Sequence, residues 1–310
     1  MRLLLTQSQI DLIIECRDYR TPVASRNPLF EHALGETKRL VVYTKADLGR
    51  DATAPGAVRQ RWEERVRGLD RPSEVLFVDV RDRRSVKGVL EKVRVQAAAM
   101  DRLVGSRMMV VGMPNVGKSS LLNALRSVGL GLKKAAKTGD QPGVTRKIAS
   151  SVKIIKAADE EGGTGGVYLL DTPGVFVPYV SDAESMLKLS LCGNVKDTII
   201  PPTIVADYLL FHLNLQDPGL YERVSEPTND IHQLLDSLAR QRGRLKKGGI
   251  PDIEAAALIF VQQWRAGEMG RFVLDSIDNM SDRSRLSIEG LGGSINQAKK
   301  FEKAQKREKN

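Results

Sequence analysis

The sequence predicts an α/β domain with a mostly parallel sheet, followed by an all-α C-terminal domain. Three observations support this fold class. Short apolar segments alternate with amphipathic segments up to residue 178, a glycine-rich turn lies between a strand pattern and a helix pattern, and apolar residues after residue 179 recur at helical spacing. A chain of 310 residues with 41% hydrophobic content is long enough to bury a core in each part. We therefore expect domains at residues 1–178 and 179–310.

Predicted strands and helices alternate through the N-terminal part. Strands are predicted at Ile10–Glu15, Arg39–Tyr43, Val75–Val80, Met108–Val111, Ile148–Ile155 and Val167–Leu170. Helices are predicted at Ala57–Leu69, around Val86–Val93 and after Lys118, and Cys16–Pro22 is predicted to be a polar loop. This alternation is typical of a parallel sheet that is covered on both faces.

A glycine-rich turn joins the fourth predicted strand to a helix. Residues Gly112–Ser119 satisfy the Gly-x4-Gly-Lys-Ser pattern of a phosphate-binding loop. The two glycines let the backbone wrap closely around phosphate, so that N–H groups and the helix N-terminus point inward. Lys118 is expected to hold the terminal phosphates, and the Ser119 hydroxyl is expected to bind Mg²⁺. The predicted nucleotide contacts are Pro114, Asn115, Val116, Gly117, Lys118, Ser119 and Ser120.

The second predicted strand ends in Thr44-Lys45-Ala46-Asp47, which is similar to the Asn-Lys-x-Asp element that recognises guanine. A carboxylate at Asp47 accepts hydrogen bonds from guanine N1–H and from the exocyclic amine. Adenine lacks both donors, so a buried Asp47 would lose its partners if ATP bound. We therefore expect GTP as the nucleotide, with Thr44, Lys45 and Asp47 at the base.

The last predicted strand ends in Asp171-Thr-Pro-Gly174, which corresponds to the Asp-x-x-Gly element. In that element the aspartate reaches Mg²⁺ through water and the glycine N–H contacts the γ-phosphate. Thr145 lies in the polar, basic segment Lys133–Arg146 and is the candidate that completes the Mg²⁺ shell; an ordinary loop threonine is the alternative. Ser119, Thr145 and Asp171 therefore form the predicted magnesium set.

These motifs occur in an unusual order, because the guanine motif precedes the phosphate loop. A parallel sheet tolerates such a permutation, since all its strand-end loops meet at one edge. The strand that ends at Asp171 leads through Val175–Val180 into the helical part. We therefore expect GTP-dependent repositioning of the C-terminal domain.

Cysteine, histidine and hydropathy patterns disfavour several classes of protein. Cys16 and Cys192 have no metal-ligand or redox spacing, which fits a reducing compartment, and the three histidines are scattered. Zinc chemistry and histidine-activated nucleophiles therefore lack support. No apolar run reaches the length of about eighteen residues that a membrane-spanning helix needs.

The net charge of +10 and the pI near 9.6 indicate an anionic partner, either nucleic acid or a membrane surface. Residues 179–310 contain eighteen Lys/Arg and eighteen Asp/Glu, so the excess lies in residues 1–178. Two local basic clusters remain in the C-terminal part, Arg240–Lys247 and Lys299–Lys309. A solvated helix face is the alternative explanation of such runs.

The motif order resembles that of the circularly permuted GTPases that assist large ribosomal subunit assembly, in particular the mitochondrial GTPase 1 group and its bacterial counterpart YlqF/RbgA. The resemblance covers nearly the whole chain. Besides the nucleotide motifs it includes Asp11–Pro22, Ser25–Pro28 and Gly243–Asp252. It implies a circularly permuted P-loop GTPase domain, a helical RNA-contacting domain, and GTP hydrolysis as a checkpoint on the maturing subunit.

The resemblance also implies a catalytic arrangement. Val175 stands where many GTPases place a water-orienting glutamine, as in relatives that depend on K⁺ with an asparagine ligand from the phosphate loop, and Asn115 matches that ligand. The catalytic candidates are Lys118, Thr145 and Asn115, and the expected cofactors are GTP/GDP, Mg²⁺ and K⁺. Intrinsic turnover should be slow until a ribosomal particle orders the site.

Three departures from the family pattern affect these expectations. Thr44 replaces the commoner asparagine, which alters hydrogen bonding beside the base, and Asp79-Val80 occupies the position of Ser-Ala, which predicts a backbone contact with guanine. The family's His-Phe-Pro-Gly-His-Met segment is absent before the first strand, so we expect the sequence to begin late.

The resemblance implies localisation in mitochondria, on the matrix side of the inner membrane, with the bacterial cytoplasm as the alternative. The expected partners are large-subunit rRNA and proteins, with peripheral membrane contact, and the protein is expected to be a monomer. Two other functions remain open: a GTP-gated RNA-binding module with negligible hydrolysis, and a membrane-associated signalling GTPase.

Overall fold

The computed structural model describes residues 10–34, 37–49, 56–100, 105–132, 152–156, 166–171, 180 and 182–276. Its centre is a six-stranded sheet with the strand order β3-β2-β1-β4-β6-β5. The strands are β1 (Leu12–Asp18), β2 (Arg39–Thr44), β3 (Glu74–Phe77), β4 (Ser106–Gly112), β5 (Val152–Ile155) and β6 (Val167–Asp171). All neighbouring strands run parallel except β5, which pairs antiparallel with β6. The predicted mostly parallel sheet is confirmed.

Helices cover both faces of the sheet. They are α1 (Pro28–Leu34), α2 (Ala46–Gly49), α3 (Gly56–Leu69), α4 (Arg83–Ala98) and α5 (Lys118–Leu130). Residues Leu12, Ile14 and Cys16 of β1 join the core formed with α4 and α5, whereas Ile13 packs in the cluster beneath α1. Because alternate residues of β1 are buried on opposite faces, its first three residues, Leu12 to Ile14, are all apolar.

Strand β1 continues through Cys16, Arg17 and Asp18, which the sequence analysis had placed in a polar loop. Burying Arg17 is possible because its guanidinium group is paired, with Nε 2.6 Å from Glu15 and Nη1 2.7 Å from Asp70. Asp70 comes from the turn that follows α3, so the pairing depends on tertiary structure and has no local signature. The loop prediction for Cys16–Asp18 was therefore wrong.

Strand β3 is shorter than predicted, since it ends at Phe77 and not at Val80. The Asp79 carboxylate accepts a hydrogen bond of 2.8 Å from the Arg81 N–H, which turns the chain out of the sheet. Ahead of the turn, the Val78 carbonyl accepts a hydrogen bond from the Ala46 N–H. The turn therefore leaves Asp79 beside the guanine motif.

The rest of the described chain is mainly helical. It contains α6 (Ala183–Leu191), α7 (Pro202–Gln216), a 3₁₀ helix (Pro218–Tyr221), α8 (Ile231–Gln241) and α9 (Ile253–Ala266), with a short hairpin of β7 (Leu245–Lys246) and β8 (Ile250–Pro251) before α9. These helices bury an apolar cluster of their own, centred on Leu209, Leu234, Phe260 and Trp264. Helix α6 reaches both cores, because Leu189 packs with the sheet and Leu191 packs with the helices.

The segment after α9 returns to the sheet. The Leu274 N–H donates a 2.8 Å hydrogen bond to the Arg20 carbonyl. The Asp275 carboxylate accepts from the N–H groups of Val23 and Ala24 and pairs with Lys188 at 3.1 Å. This return fixes the helical part beside the loop that follows β1.

Among the described residues, no helix is long and apolar enough to cross a membrane.

Candidate functional site

The carboxyl ends of β1, β2, β4 and β6 bring the predicted motifs to one edge of the sheet. In the strand registers, Cys16 lies opposite Gly112 and Asp18 lies opposite Thr44. On the other side of β4, Asp171 lies opposite Val110. Ligand sites of open parallel sheets form at this kind of edge, irrespective of the order in which the strands are connected.

The backbone of the phosphate loop curves tightly where β4 ends. Gly112 has φ +145°, and a Cβ atom on it would collide with the Cys16 carbonyl oxygen. Asn115 has φ +56°, a left-handed conformation that asparagine tolerates better than most residues other than glycine. The Lys118 ammonium donates to the carbonyl oxygens of Gly112 and Met113, at 3.1 Å and 2.6 Å. These contacts shape the loop into a concave turn around the lysine.

Helix α5 begins directly after this loop, with Lys118, Ser119 and Ser120 in its first turn. Its N-cap residue is Gly117, with φ +99°, and glycine has no side chain that could cap the helix. Backbone N–H groups at a helix N-terminus favour an anion, and a glycine N-cap does not cap them with a side chain of its own. The helix terminus is therefore suited to phosphate, and a neighbouring serine hydroxyl is a ligand that Mg²⁺ accepts.

Thr44 connects the guanine motif to the phosphate loop. Its hydroxyl lies against the Val116 carbonyl oxygen and is 3.1 Å from the Arg17 carbonyl oxygen. The side chain is 1% exposed, so these carbonyls are shielded from water. Thr44 therefore contacts protein groups of the phosphate loop, a role that the sequence analysis had not assigned to it.

Lys45 is oriented by a buried carboxylate that the sequence analysis did not select. Its ammonium group lies 2.9 Å from Asp18, and Asp18 also accepts from Nε and Nη2 of Arg20, at 3.0 Å and 2.9 Å. Burial disfavours the charged carboxylate, but Arg20 and Lys45 outweigh it and hold the pKa of Asp18 well below its usual range. The guanidinium of Arg20 lies 4.7 Å above the Trp264 ring of α9.

Asp47 lies in the first turn of α2, next to the loop that follows β3. Partial burial and the nearby negative charge of Asp79 raise the pKa of the Asp47 carboxyl, while Arg81 and Arg271 oppose the rise. Val80 follows Asp79 at the end of this loop. The structure thus brings Thr44, Lys45, Asp47 and Asp79 to the same side of the phosphate loop.

The predicted γ-phosphate side is described only in part. Asp171 is the last residue of β6, at the same sheet edge as the phosphate loop. Thr145, Gly174 and Val175 lie outside the described residues. In the part of the chain that the structure describes, no three His, Cys, Asp or Glu side chains are grouped as a metal site would require.

The turn after α6 contacts the phosphate loop, which sequence analysis missed. Asn115 donates from Nδ2 to the Gly193 carbonyl at 2.9 Å, and Asn194 donates from Nδ2 to the Pro114 carbonyl at 2.8 Å. The only available signal was Cys-Gly-Asn after a helical pattern, which indicates a helix C-terminus and says nothing about its contact.

Comparison with known proteins agrees with this geometry. The model of the family described as 50S ribosome-binding GTPase matches residues 107–242. The matched region begins in β4, so the guanine motif at residues 44–47 lies before it in the sequence. The structure is similar to the crystal structure of GNP-bound YlqF from T. maritima, with a TM-score of 0.62, 22% identity, and coverage of 90% of this chain and 98% of that one. This likeness supports the permuted fold.

Curated relatives share sequence along almost the whole chain. Mitochondrial GTPase 1 of Schizosaccharomyces pombe is 38% identical, with 92% of this chain and 88% of the relative covered. Mitochondrial ribosome-associated GTPase 1 of Xenopus tropicalis is 32% identical over 86% of this chain and 88% of the relative. Ribosome biogenesis GTPase A of Priestia megaterium is 32% identical over 86% and 89%, respectively. The chain therefore belongs to the circularly permuted GTPase family that includes mitochondrial GTPase 1 and bacterial ribosome biogenesis GTPase A.

Proposed function

We propose that this protein hydrolyses GTP to GDP and phosphate as a checkpoint in assembly of the large subunit of the mitochondrial ribosome. The observation that carries the proposal is the hydrogen-bonded junction of Thr44 with Val116, which joins a guanine motif to a phosphate loop at one sheet edge. Relatives named as ribosome-associated and ribosome biogenesis GTPases support the choice of substrate and process.

In this proposal different residues at the sheet edge bind the base and the phosphates of the nucleotide. Asp47 accepts from the guanine base, Lys45 lies beside the base, and the backbone of Asp79-Val80 closes that side. Phosphates bind the N–H groups of the loop and the first turn of α5, with Lys118 at the terminal phosphates. Gly174 contacts the γ-phosphate as the sequence motif implies.

Magnesium and potassium fit the donor groups that the chain provides. Ser119, Thr145 and, through water, Asp171 are the proposed holders of Mg²⁺, which neutralises charge that develops on the phosphates. Asn115 is the proposed holder of K⁺. Because its Nδ2 donates to the Gly193 carbonyl, the amide is oriented and its oxygen end, the end that binds a cation, is defined. The proposal predicts faster hydrolysis in K⁺ than in Na⁺, with the gain lost in Asn115→Ala.

The proposed RNA contact is the hairpin between α8 and α9. Arg242, Arg244, Lys246 and Lys247 are all exposed, and no acidic residue interrupts the run. Basic side chains on an exposed hairpin suit the phosphate backbone of rRNA. Binding to large-subunit RNA should therefore weaken steeply as salt concentration rises, and a flat salt dependence would argue against this surface.

We propose that the nucleotide state controls the position of the domain that carries this basic surface. We take residues 1–178 as the GTPase domain and residues 179–310 as the helical domain, with the chain passing directly from the γ-phosphate motif into the helices. Exchange of GTP for GDP would then reposition the helical domain. Equal RNA affinity in the two nucleotide states would argue against that coupling.

The deciding experiment is GTP hydrolysis by purified protein in K⁺ buffer, with and without immature large-subunit particles from mitochondria. Slow intrinsic turnover that the particles accelerate, and that Lys118→Ala abolishes, is the expected result. Tight GTP binding without acceleration would instead support a GTP-gated RNA-binding module. That alternative is favoured by Val175, which cannot orient water as a glutamine does.

We propose mitochondrial localisation, on the matrix side of the inner membrane and as a monomer. The names of the fungal and vertebrate relatives support mitochondria. Release of the protein from mitochondrial membranes by alkaline carbonate is expected for peripheral contact, and sedimentation analysis would test the monomer. The bacterial cytoplasm is the alternative compartment.

A further inference from the structure

The turn at the end of α6 has a conformation that only glycine adopts easily. Gly193 has φ +77°, its N–H donates to the Ser190 carbonyl, and the N–H of Asn194 donates to the Leu189 carbonyl, both at 2.9 Å. This is the pattern of a Schellman motif, which ends a helix and fixes the direction of the residues that follow. The motif therefore determines where the Asn194 side chain is presented.

The side chains of Asn194 and Asn115 make a reciprocal pair of hydrogen bonds between this turn and the phosphate loop. Asn194 Nδ2 donates to the Pro114 carbonyl at 2.8 Å, and Asn115 Nδ2 donates back to the Gly193 carbonyl at 2.9 Å. Asn194 is 1% exposed, so water does not compete for the bond. The Asn194 bond fixes the Pro114–Asn115 peptide of the loop, and the Asn115 bond fixes the side chain of Asn115 on the turn after α6.

These two hydrogen bonds restrain the backbone conformation of Asn115. At φ +56° Asn115 lies in the left-handed region, which asparagine adopts more readily than most residues but which is still sparsely populated, and its contacts stabilise it there. Asn194 holds the carbonyl of the preceding residue, while the Asn115 amide is itself bonded to the turn. Loss of the Asn194 bond would let the Pro114–Asn115 peptide rotate away from its position.

Helix α9 holds the turn in place through Arg265. Arg265 of α9 donates from Nε to the Leu191 carbonyl at 2.9 Å and from Nη2 to the Ser190 carbonyl at 2.7 Å. The same guanidinium is paired with Asp197 at 2.7 Å. A cation at a helix C-terminus stabilises the carbonyls that end the helix. The phosphate loop is thus connected through the turn to the helix that follows the basic hairpin.

We infer that Asn194 is a positioning residue for GTP hydrolysis, which fixes the Pro114–Asn115 segment of the phosphate loop from the side of the helical domain. The inference rests on the proposed GTPase function. Asn194 acts through the loop and touches neither reacting group, so it should affect turnover more than base recognition, which Asp47 carries.

Asn194→Asp tests this role, because the substitution keeps the shape and removes the donor. Because burial raises the pKa of a carboxyl, kcat is compared with wild type from about pH 6 to pH 9. An ionised carboxylate would repel the Pro114 carbonyl, so particle-stimulated kcat should fall about tenfold or more toward the alkaline end, with a much smaller change in KM. As the pH falls, the carboxyl takes up a proton and regains a donor. The ratio of variant to wild-type kcat should therefore rise toward one in acid, with folding monitored by circular dichroism.

Asn214→Asp is the matched control, because Asn214 also donates from Nδ2 to a backbone carbonyl, that of Thr228, at 2.9 Å. It lies in α7 and makes no contact with the phosphate loop among the described residues, so it should lower thermal stability and leave kcat and its pH profile unchanged. Wild-type kcat in Asn194→Asp at every pH tested, or equal losses of kcat in both variants, would overturn the inference while the GTPase function stands. If the wild-type protein does not hydrolyse GTP, both the inference on Asn194 and the proposed GTPase function are wrong.

Discussion

The hydroxyl of Thr44 lies against the carbonyl oxygen of Val116, so the guanine motif and the phosphate loop share a buried hydrogen bond across 72 positions of sequence. The same hydroxyl is within 3.1 Å of the Arg17 carbonyl. Three strands are therefore connected at one point: β1 through Arg17, β2 through Thr44, and β4 through the loop that follows it. A single side chain therefore holds the guanine motif and the phosphate loop in a fixed relation.

Thr44→Val should weaken both folding and nucleotide binding. Valine has the same shape but no donor, so the buried carbonyls lose a partner and the free energy of unfolding should fall by about 1–3 kcal/mol. Affinity for GDP should fall as well, because the two motifs are no longer held together. Chemical denaturation and a fluorescent-nucleotide titration measure the two effects.

Thr21→Val is the control for this substitution. Thr21 is fully buried, and its hydroxyl has no hydrogen-bond partner within the described ranges. Replacing an unsatisfied hydroxyl with a methyl group should leave stability unchanged or raise it. Equal stability losses in the two valine variants would contradict the role given to the Thr44 hydroxyl.

Asp79→Asn should change the pH dependence of GTP binding. In the proposed site, Asp47 accepts from both guanine donors only when it is ionised. Burial and the negative charge of Asp79 raise the pKa of Asp47, so GTP affinity should be lost at a higher pH than for an ordinary aspartate. Removing the negative charge of Asp79 lowers that pKa, and the acid limb should move to lower pH. Titrations of GDP between neutral pH and about pH 4 measure the shift.

The Asp79→Asn substitution should change the charge beside Asp47 without changing the loop. Asp79 also accepts from the Arg81 N–H, and asparagine preserves this bond through its side-chain oxygen. The loop should therefore keep its course. An acid limb that stays in place, or that moves to higher pH, would show that Asp79 does not control the ionisation of Asp47.

Gly112→Ala should be far more destabilising than Gly131→Ala. Both glycines have positive φ, +145° and +69°, but an added Cβ meets the Cys16 carbonyl at Gly112 and open space at Gly131. Alanine at position 131 should therefore cost about 1–2 kcal/mol of backbone strain. At position 112 the collision adds to the strain and also displaces the phosphate loop. Comparable unfolding free energies for the two variants would contradict the tight approach of β1 to the loop.

The sequence was sufficient to predict the sheet and the locally encoded motifs. The phosphate loop is recognisable because its glycines, lysine and serine occupy consecutive positions, and β1, β2 and β4 because buried parallel strands are nearly continuous apolar runs. Even so, α1 was not predicted. Its start depends on Pro28 in the first turn and on Asn27, whose side chain accepts from the Phe30 N–H, and these signals are brief.

The contacts that unite the site were beyond prediction because they join distant positions. Asn194 and Pro114 are 80 residues apart, and nothing local to either marks the other as a partner. Arg17 looked like a loop residue because its partner Asp70 is 53 positions away. A charged residue in a strand is tolerable only when the tertiary structure supplies its counter-charge.

Asp18→Asn should be the most damaging single change near the guanine motif. Asp18 is fully buried and pairs with Arg20 and Lys45 at 2.9 Å each, so asparagine leaves the buried Arg20 guanidinium without its counter-charge. The free energy of unfolding should fall by about 3–5 kcal/mol, and GTP affinity should drop as Lys45 loses its anchor. The folded-state pKa of Asp18 is depressed, so its contribution is present above the unfolded-state pKa and is lost as pH falls through the folded-state value.

Asp236→Asn provides the contrast, because Asp236 pairs with Arg240 at 2.8 Å on the surface of α8, where both side chains are solvent-exposed. Water screens such a pair, so stability and GTP affinity should scarcely change. Chemical denaturation of both variants at neutral pH and near pH 3 separates the two cases. The gap between Asp18→Asn and wild type should narrow in acid, where protonation begins to remove the wild-type contribution, whereas Asp236→Asn should follow wild type throughout. A neutral-pH loss for Asp18→Asn no larger than that for Asp236→Asn would show that the Asp18–Arg20–Lys45 cluster does not support the fold.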